Sequence, residues 1–215
     1  MTDRPTGDVE SPDKLESMLG PPDPIAIRKQ IARIDRHARD FIALSPFLCI
    51  GTASADGAAD VSPRGDPPGF VQVLDDRTLL IPDRPGNNRT DSMRNILENP
   101  NVGLLFFIPG FEDTLRVNGK ATIVSDRDLL GASVVNGKAP KVAIRVAVEE
   151  VFLHCAKALK RSKLWDPAAQ VERKALPSLV RMIMEQVAEA EKPPADAEVA
   201  EAEQGLEDHY KTGLY

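Results

Sequence analysis

The sequence predicts an α+β protein built on an antiparallel β-barrel, and three observations point there. Between about residues 47 and 124, short apolar or alternating runs are separated by Asp-Gly, Pro-Gly and Asn-Gly dipeptides, the punctuation of strands joined by tight turns. Helical spacing is concentrated before and after this region. Strands and long helices do not alternate as a βαβ protein requires. The 215 residues suit one domain with extensions, and 42% hydrophobic residues can build a core.

The chain opens on a Pro-, Asp-, Glu- and Gly-rich stretch, residues 1–23, which reads as a flexible lead-in. The domain proper is expected over residues 24–190. It begins with an amphipathic helix in "DPIAIRKQIARIDRHARDFIALSP", where Ile27, Ile31, Ile34, Ala38 and Phe41 recur at three- and four-residue steps. Pro46 closes it.

"FLCIGTAS" then reads as a strand, and Asp56-Gly57 turns the chain into "DVSPRGD". "FVQVLDDRTLLIPD" folds as a hairpin at Asp75-Asp76. "TDSMRNILEN" is a helix with Met93, Ile96 and Leu97 as its apolar face. "NVGLLFFIPG" is continuously apolar, as in a strand covered on both faces. In "DTLRVNGKATIVSD", Asn118-Gly119 fits either a hairpin turn or a bulge in one long strand. "DRDLLGAS" is a short helix capped by Ser125 or Asp126. In "KVAIRVAVEEVFLHC", Val142, Ile144, Val146 and Val148 alternate as in a strand. Leu176, Leu179, Val180, Ile183, Met184 and Val187 return to helical spacing, with Pro177 in the first turn. Residues 191–215 form an acidic tail, expected to be mobile or ordered only against a partner.

Net charge is −6, which argues against nucleic acid as a partner, because neutralising phosphates needs a basic face. No stretch reaches membrane-spanning length and the start carries no apolar signal region, so a cytoplasmic location is expected. Two cysteines and three scattered histidines show no zinc spacing. Cys49 and Cys155 read as small core residues, and His154 as a packed histidine rather than a proton donor.

Three segments collect hydrogen-bond donors. "RPGNNRTDS" places Asn87, Asn88, Arg89, Thr90 and Ser92 where a helix starts, and a helix start presents free N–H groups and a positive dipole end that suit an anion. Ordinary capping by Asn, Thr and Ser explains the same composition. "DVSPRGDPPG" places Ser62 and Arg64 at a strand end, where Asp60 or Asp66 would neutralise the arginine. "HCAKALKRSKLW" places Lys157, Lys160, Arg161 and Lys163 beside Trp165, the single tryptophan. That fits a basic turn with a core tryptophan, or an aromatic wall for a planar phosphorylated ligand.

Taken in order, "VSPRGD", "TLLIPDRPGNNR", "RNILENPNVGLLFFIPG" and "LRVNGKATIV" resemble the pyridoxamine 5'-phosphate oxidase-like family of FMN-binding split-barrel flavoproteins. "HCAKALKRSKLWDP" is similar to the C-terminal barrel segment of one FMN-dependent subgroup. The resemblance spans about residues 25–190. It implies a six-stranded split β-barrel with flanking helices, paired into a two-fold homodimer with FMN in clefts between the subunits. It assigns the phosphate to Ser62, Arg64, Asn88, Arg89, Thr90 and Ser92. Arg161, Ser162, Lys163 and Trp165 would approach from the later segment, of the same or of the other subunit. The implied activity is FMN-dependent oxidoreduction of a small molecule, with no catalytic acid or base identifiable. The same fold also serves non-catalytic flavin- or haem-related binding and F420-dependent reduction. The chain departs from the family in two places. It ends in "EDHYKTGLY" instead of an Arg- and His-containing substrate grip, so action on pyridoxamine phosphate is not expected. Ser92 also stands where a lysine is common.

Overall fold

The structure, a computed structural model, describes residues 8–188 and 193–215. Its centre is one antiparallel sheet of seven strands: β1 (Phe47–Ala53), β2 (Ala59–Gly65), β3 (Gln72–Val73), β4 (Thr78–Pro82), β5 (Asn101–Phe107), β6 (Thr114–Val124) and β7 (Ala143–His154). The order is β2-β1-β5-β6-β7-β4-β3. Six strands were expected. The seventh is β3, a two-residue strand that pairs Gln72 with Leu80 and Val73 with Leu79 to complete the anticipated hairpin. Helices α1 (Pro12–Leu19), α2 (Pro24–Arg28) and α3 (Arg36–Leu44) precede the sheet. Within it are inserted α4 (Asp91–Glu98) and α5 (Arg127–Gly131). After it come α6 (Lys157–Ser162), two short 3-10 turns, α7 (Leu179–Val187) and α8 (Asp196–Thr212).

The sheet buries the alternating residues its pattern announces. Leu48 and Ile50, Leu104 and Phe106, Leu115 and Val117, Ile144 and Val146, and Leu79 and Ile81 share one core with Ile34, Ala38, Phe41 and Ile42 from the α3 region and Ile96 from α4. Burying each such side chain stabilises the fold by roughly 1.5–3 kcal/mol before entropy is counted. Leu80 faces the other way, into a smaller cluster with Leu130 of α5 and Ala143. β5 is not covered on both faces as its composition suggested. Val102, Leu104 and Phe106 are buried, whereas Leu105 and Phe107 are half-buried on the outer face.

Asn118-Gly119 is a bulge inside the long strand β6: Asn118 pairs with Glu150, Gly119 with Val148, and Glu149 is skipped. Glycine is required there because a Cβ would lie 2.1 Å from the Ala147 carbonyl oxygen.

Two local expectations are corrected, for the first helix and for Pro177. The first amphipathic helix is broken into α2 and α3. Ile31 leaves the helix to exchange two backbone hydrogen bonds with Val151, and Asp35 then caps α3 by accepting from Ala38 N–H at 2.8 Å. Ile27, on the α2 side of the break, is exposed. The lead-in contains α1, capped by Ser11 and with no buried residue; residues 1–7 of it lie outside the described residues. The acidic tail holds the 17-residue α8, whose Val199 is buried. Pro177 precedes the α7 cap, which is Ser178. Asp126 caps α5 as expected. Among the described residues no helix is long and apolar enough to cross a membrane.

The sheet is open in its hydrogen bonding, with β2 and β3 as edges. Pro63 is tolerated in β2 because an edge strand leaves one side without a ladder. Side chains nevertheless join β2 to the chain just after β4. Arg64 pairs with Asp83 at 3.0 Å, and Arg84 pairs with Asp66 at 2.6 Å. The two ion pairs stitch a seam, and the candidate site lies along it.

Candidate functional site

A cleft of about 380 Å3 opens at this seam between β2, the turn after β4 and the start of α4. Alternation along β2 leaves Asp60, Ser62 and Arg64 half-buried, while Val61 and Pro63 between them are exposed. Six predicted residues line the cleft together: Ser62, Arg64, Asn88, Arg89, Thr90 and Ser92.

The helix start is unusual. Thr90 stands at the N-cap of α4 in the left-handed region, φ 57°, and its side chain makes no capping hydrogen bond. Asn88, two residues earlier, is also left-handed, φ 58°. Asparagine tolerates that conformation, but a β-branched threonine is strained there, at a cost on the order of 1–3 kcal/mol. Plain capping therefore does not account for this threonine. The buried face of α4 also differs from expectation. Ser92 and Ile96 are buried, Met93 is half-buried, and Leu97 is 75% exposed.

The cleft arginines are in unequal settings. Arg64 is largely buried, with 20% of its side chain exposed, and donates from Nη1 to Asp83. Its Nε is buried with no hydrogen-bond partner. A buried unmatched donor costs roughly 1–3 kcal/mol, more for a charged group. Burial pushes the Asp83 carboxyl above the usual aspartate range, against the opposing pull of Arg64 and Arg84. Arg89 is 74% exposed and pairs with Asp91 at 2.8 Å. Such a surface pair is worth about 0–1 kcal/mol, so an incoming anion can displace it. Ser92 is committed elsewhere: its hydroxyl, 2% exposed, donates to Asp60 Oδ2 at 2.9 Å and ties α4 to β2.

Asp83 and Arg84 were not singled out from the sequence. Arg64 was expected to pair with Asp60 or Asp66, but its partner is Asp83, 19 positions away. The only local cue was Asp83-Arg84 at a strand end. The third donor segment lies elsewhere on the same chain. Lys163 and Trp165 line a separate hollow with Gly110, Phe111 and Lys160. Trp165 Nε1 donates to the Phe111 carbonyl at 2.6 Å, and Lys160 pairs with Glu112 at 2.6 Å. Arg161 and Ser162 belong to α6, and the Ser162 hydroxyl donates to the Leu159 carbonyl. None of these four residues lines the first cleft.

His154 packs against Phe152 with ring centroids 4.9 Å apart and the planes tilted by 49°, and its Nε2 is buried without a partner. Burial holds its pKa below the ordinary histidine value, with further lowering by Arg116 and Lys29. Cys49 is half-buried, but Cys155 is exposed rather than in the core. Among the described residues no group of His, Cys, Asp and Glu is arranged to hold a metal ion.

Residues 34–155, more than half of the chain, match the family described as pyridoxamine 5'-phosphate oxidase. The chain belongs to that family. Similar solved structures include HupZ from Group A Streptococcus, at 20% identity, covering 56% of this chain and 93% of that one, TM-score 0.46. An FMN-binding protein from Syntrophomonas wolfei is 13% identical over 66% of this chain and 92% of that one, TM-score 0.41. HutZ, the haem storage protein from Vibrio cholerae, is 15% identical over 57% and 94%, TM-score 0.38. No curated protein matches the chain.

Proposed function

We propose that the chain is an FMN-dependent oxidoreductase acting on a small molecule, with the FMN phosphate seated in the seam cleft. The observation that carries this reading is the buried, unpartnered Nε of Arg64 beside a strained, uncapped helix start. The donor set suits a phosphate. Arg64 offers Nε, Arg89 offers a displaceable guanidinium, Ser62 and Thr90 offer hydroxyls, and the first turn of α4 offers free N–H groups and a positive dipole end. Asp83 and Asp91 oppose it. Their negative charge keeps the cleft near neutral until an anion takes over the arginines.

FMN supplies two-electron redox chemistry when bound. The residues of the chain bind and orient it. Arg64, held by Asp83 against the seam, and Arg89, released from Asp91, would hold the phosphate. Ser92, through Asp60, holds the first turn of α4 in register with β2.

Two copies are part of the reading. The outer face of β1, β2 and β5 exposes Phe47 and Val61, 38% and 70%, beside half-buried Leu105 and Phe107. An apolar sheet face of this kind suits burial against a second copy. In such a dimer Arg161, Ser162, Lys163 and Trp165 of one copy would complete the other copy's cleft.

The test is direct. The purified chain should bind FMN with a flavin absorbance spectrum, sediment as a dimer, and pass electrons from a reduced nicotinamide to an added acceptor. Binding without electron transfer would reduce the reading to a flavin-binding protein. Preference for F420 or haem over FMN in parallel titrations would overturn it.

A further inference from the structure

The turn that runs from Asp83 to Asn88 has a second side. There it borders another hollow, of about 580 Å3, closed by the segment around Lys138 and by Tyr215 from beyond α8. Tyr215 is anchored at several points. Its hydroxyl donates to Asp66 Oδ1 at 2.6 Å, while Arg84 Nε donates to the other oxygen of the same carboxylate at 2.6 Å. The Arg84 guanidinium lies 5.5 Å from the centre of the Tyr215 ring. Lys138 Nζ donates to the Tyr215 main-chain oxygen at 2.6 Å. Asp66, the hub, has a side chain only 2% exposed. A hydrogen bond spanning 149 positions onto a buried carboxylate fixes the aromatic ring as a wall of the hollow.

The charge balance of this wall differs from that of the first cleft. Asp66 is matched by Arg84 and Asp83 by Arg64. Lys141 remains, and among the described residues it forms no ion pair, while Lys138 is held by the Tyr215 terminal oxygen. The hollow therefore carries a net charge of about +1 by this matching of partners, in a chain whose net charge is −6. Between the two lysines lie Ala139 and Pro140, and Pro85 faces them from the turn. Cations beside rigid apolar surface and an aromatic ring select a ligand that is both charged and flat.

We propose that this second hollow binds a small ring-bearing organic anion, its charged group held by Lys141 and Lys138 and its ring laid against Tyr215 and Pro140. The site is separate from the seam cleft, sharing only the turn between them, and its chemistry does not depend on what that cleft holds.

Isothermal titration of the full chain at low salt with benzoate, phenyl phosphate, benzyl alcohol and benzylamine tests this. Both anions should bind one per chain, with dissociation constants on the order of 1 mM. The alcohol and the amine should bind at least roughly tenfold more weakly. K141E should weaken benzoate binding roughly tenfold with an unchanged melting temperature, because Lys141 is exposed and carries no structural bond. Y215A should weaken binding of both anions alike. Benzoate and benzyl alcohol binding equally, or K141E leaving benzoate binding unchanged, would overturn the proposal. Displacement of benzoate by FMN would also overturn it, by placing the anion in the seam cleft. Failure of FMN to bind while benzoate binds and responds to K141E would instead count against the flavin reading alone.

Discussion

Arg64 and Asp83 meet at 3.0 Å across the seam between β2 and the end of β4, and beside that contact the Nε of the same arginine is buried with no partner. One residue thus closes the open sheet and also offers a spare charged donor to the cleft. Arg64→Ala should therefore do two things. It should lower stability by about 2–3 kcal/mol, because Asp83 is left without its ion partner, and it should abolish tight FMN binding. Denaturant unfolding and flavin titration read the two effects separately. The titration of Asp83, followed by carbon NMR of its carboxyl, should move further up in the variant. Its pKa is already raised, so the folded chain holds this proton more tightly than the unfolded chain. The contribution to stability is greatest below 3.8 and declines as pH rises through the raised value.

Arg89 makes a cleaner probe. Its pair with Asp91 is exposed, so Arg89→Ala should leave stability within about 0.5 kcal/mol of the parent. FMN binding should weaken by about 1–3 kcal/mol, and riboflavin, which lacks the phosphate, should be little affected. Equal loss for both ligands would give Arg89 a purely structural role.

Asp91 competes for the same guanidinium, so Asp91→Asn should strengthen FMN binding by roughly twofold to fivefold. A small loss of helix stability, about 0.3–1 kcal/mol, should accompany it, because an acid at the first turn of α4 is lost. Weaker FMN binding in this variant would mean that the carboxylate orders the loop instead of guarding it.

Gly119→Ala should destabilise the fold by about 3 kcal/mol or prevent folding. The added Cβ meets a main-chain oxygen at 2.1 Å, and backbone cannot rotate aside as a side chain can. A melting temperature equal to that of the parent would show that β6 and β7 can shift register at the bulge.

His154 predicts an acid-side loss of stability. Its folded pKa lies below 6.5 because burial, then Arg116 and Lys29, disfavour the charged ring. Above 6.5 the group costs nothing. As pH falls through that value, the unfolded chain takes up the proton more readily than the folded chain, and stability declines until the folded pKa is passed. The urea midpoint should drop between pH 7.5 and 5.5, and His154→Gln should flatten that slope. An unchanged slope would assign the acid sensitivity to other groups.

Much of the sheet was legible because its signals are local. Asp56-Gly57 and Asp75-Asp76 mark the two hairpins, and the alternation in "AIRVAVEEV" gives the buried face of β7. The donor cluster at the start of α4 was legible for the same reason, since residues 87–92 are neighbours in sequence. The break between α2 and α3 was hidden. Ile31 keeps its place in the helical period while its backbone pairs with Val151, 120 positions away. The outer, half-buried face of β5 was also hidden, because an apolar run looks the same whether one face is covered or both.

What the sequence by itself determined is the set of pieces: strands by their alternation, turns by glycine, and a donor-rich helix start, all effects of residues within a few positions of one another. The tertiary structure alone decided which pieces meet. It gave Arg64 to Asp83 rather than Asp60 or Asp66, kept Trp165 away from the cleft of its own chain, and brought Tyr215 to Asp66. Those choices depend on charge matching and on space left by distant backbone, and neither leaves a periodic trace in the order of residues.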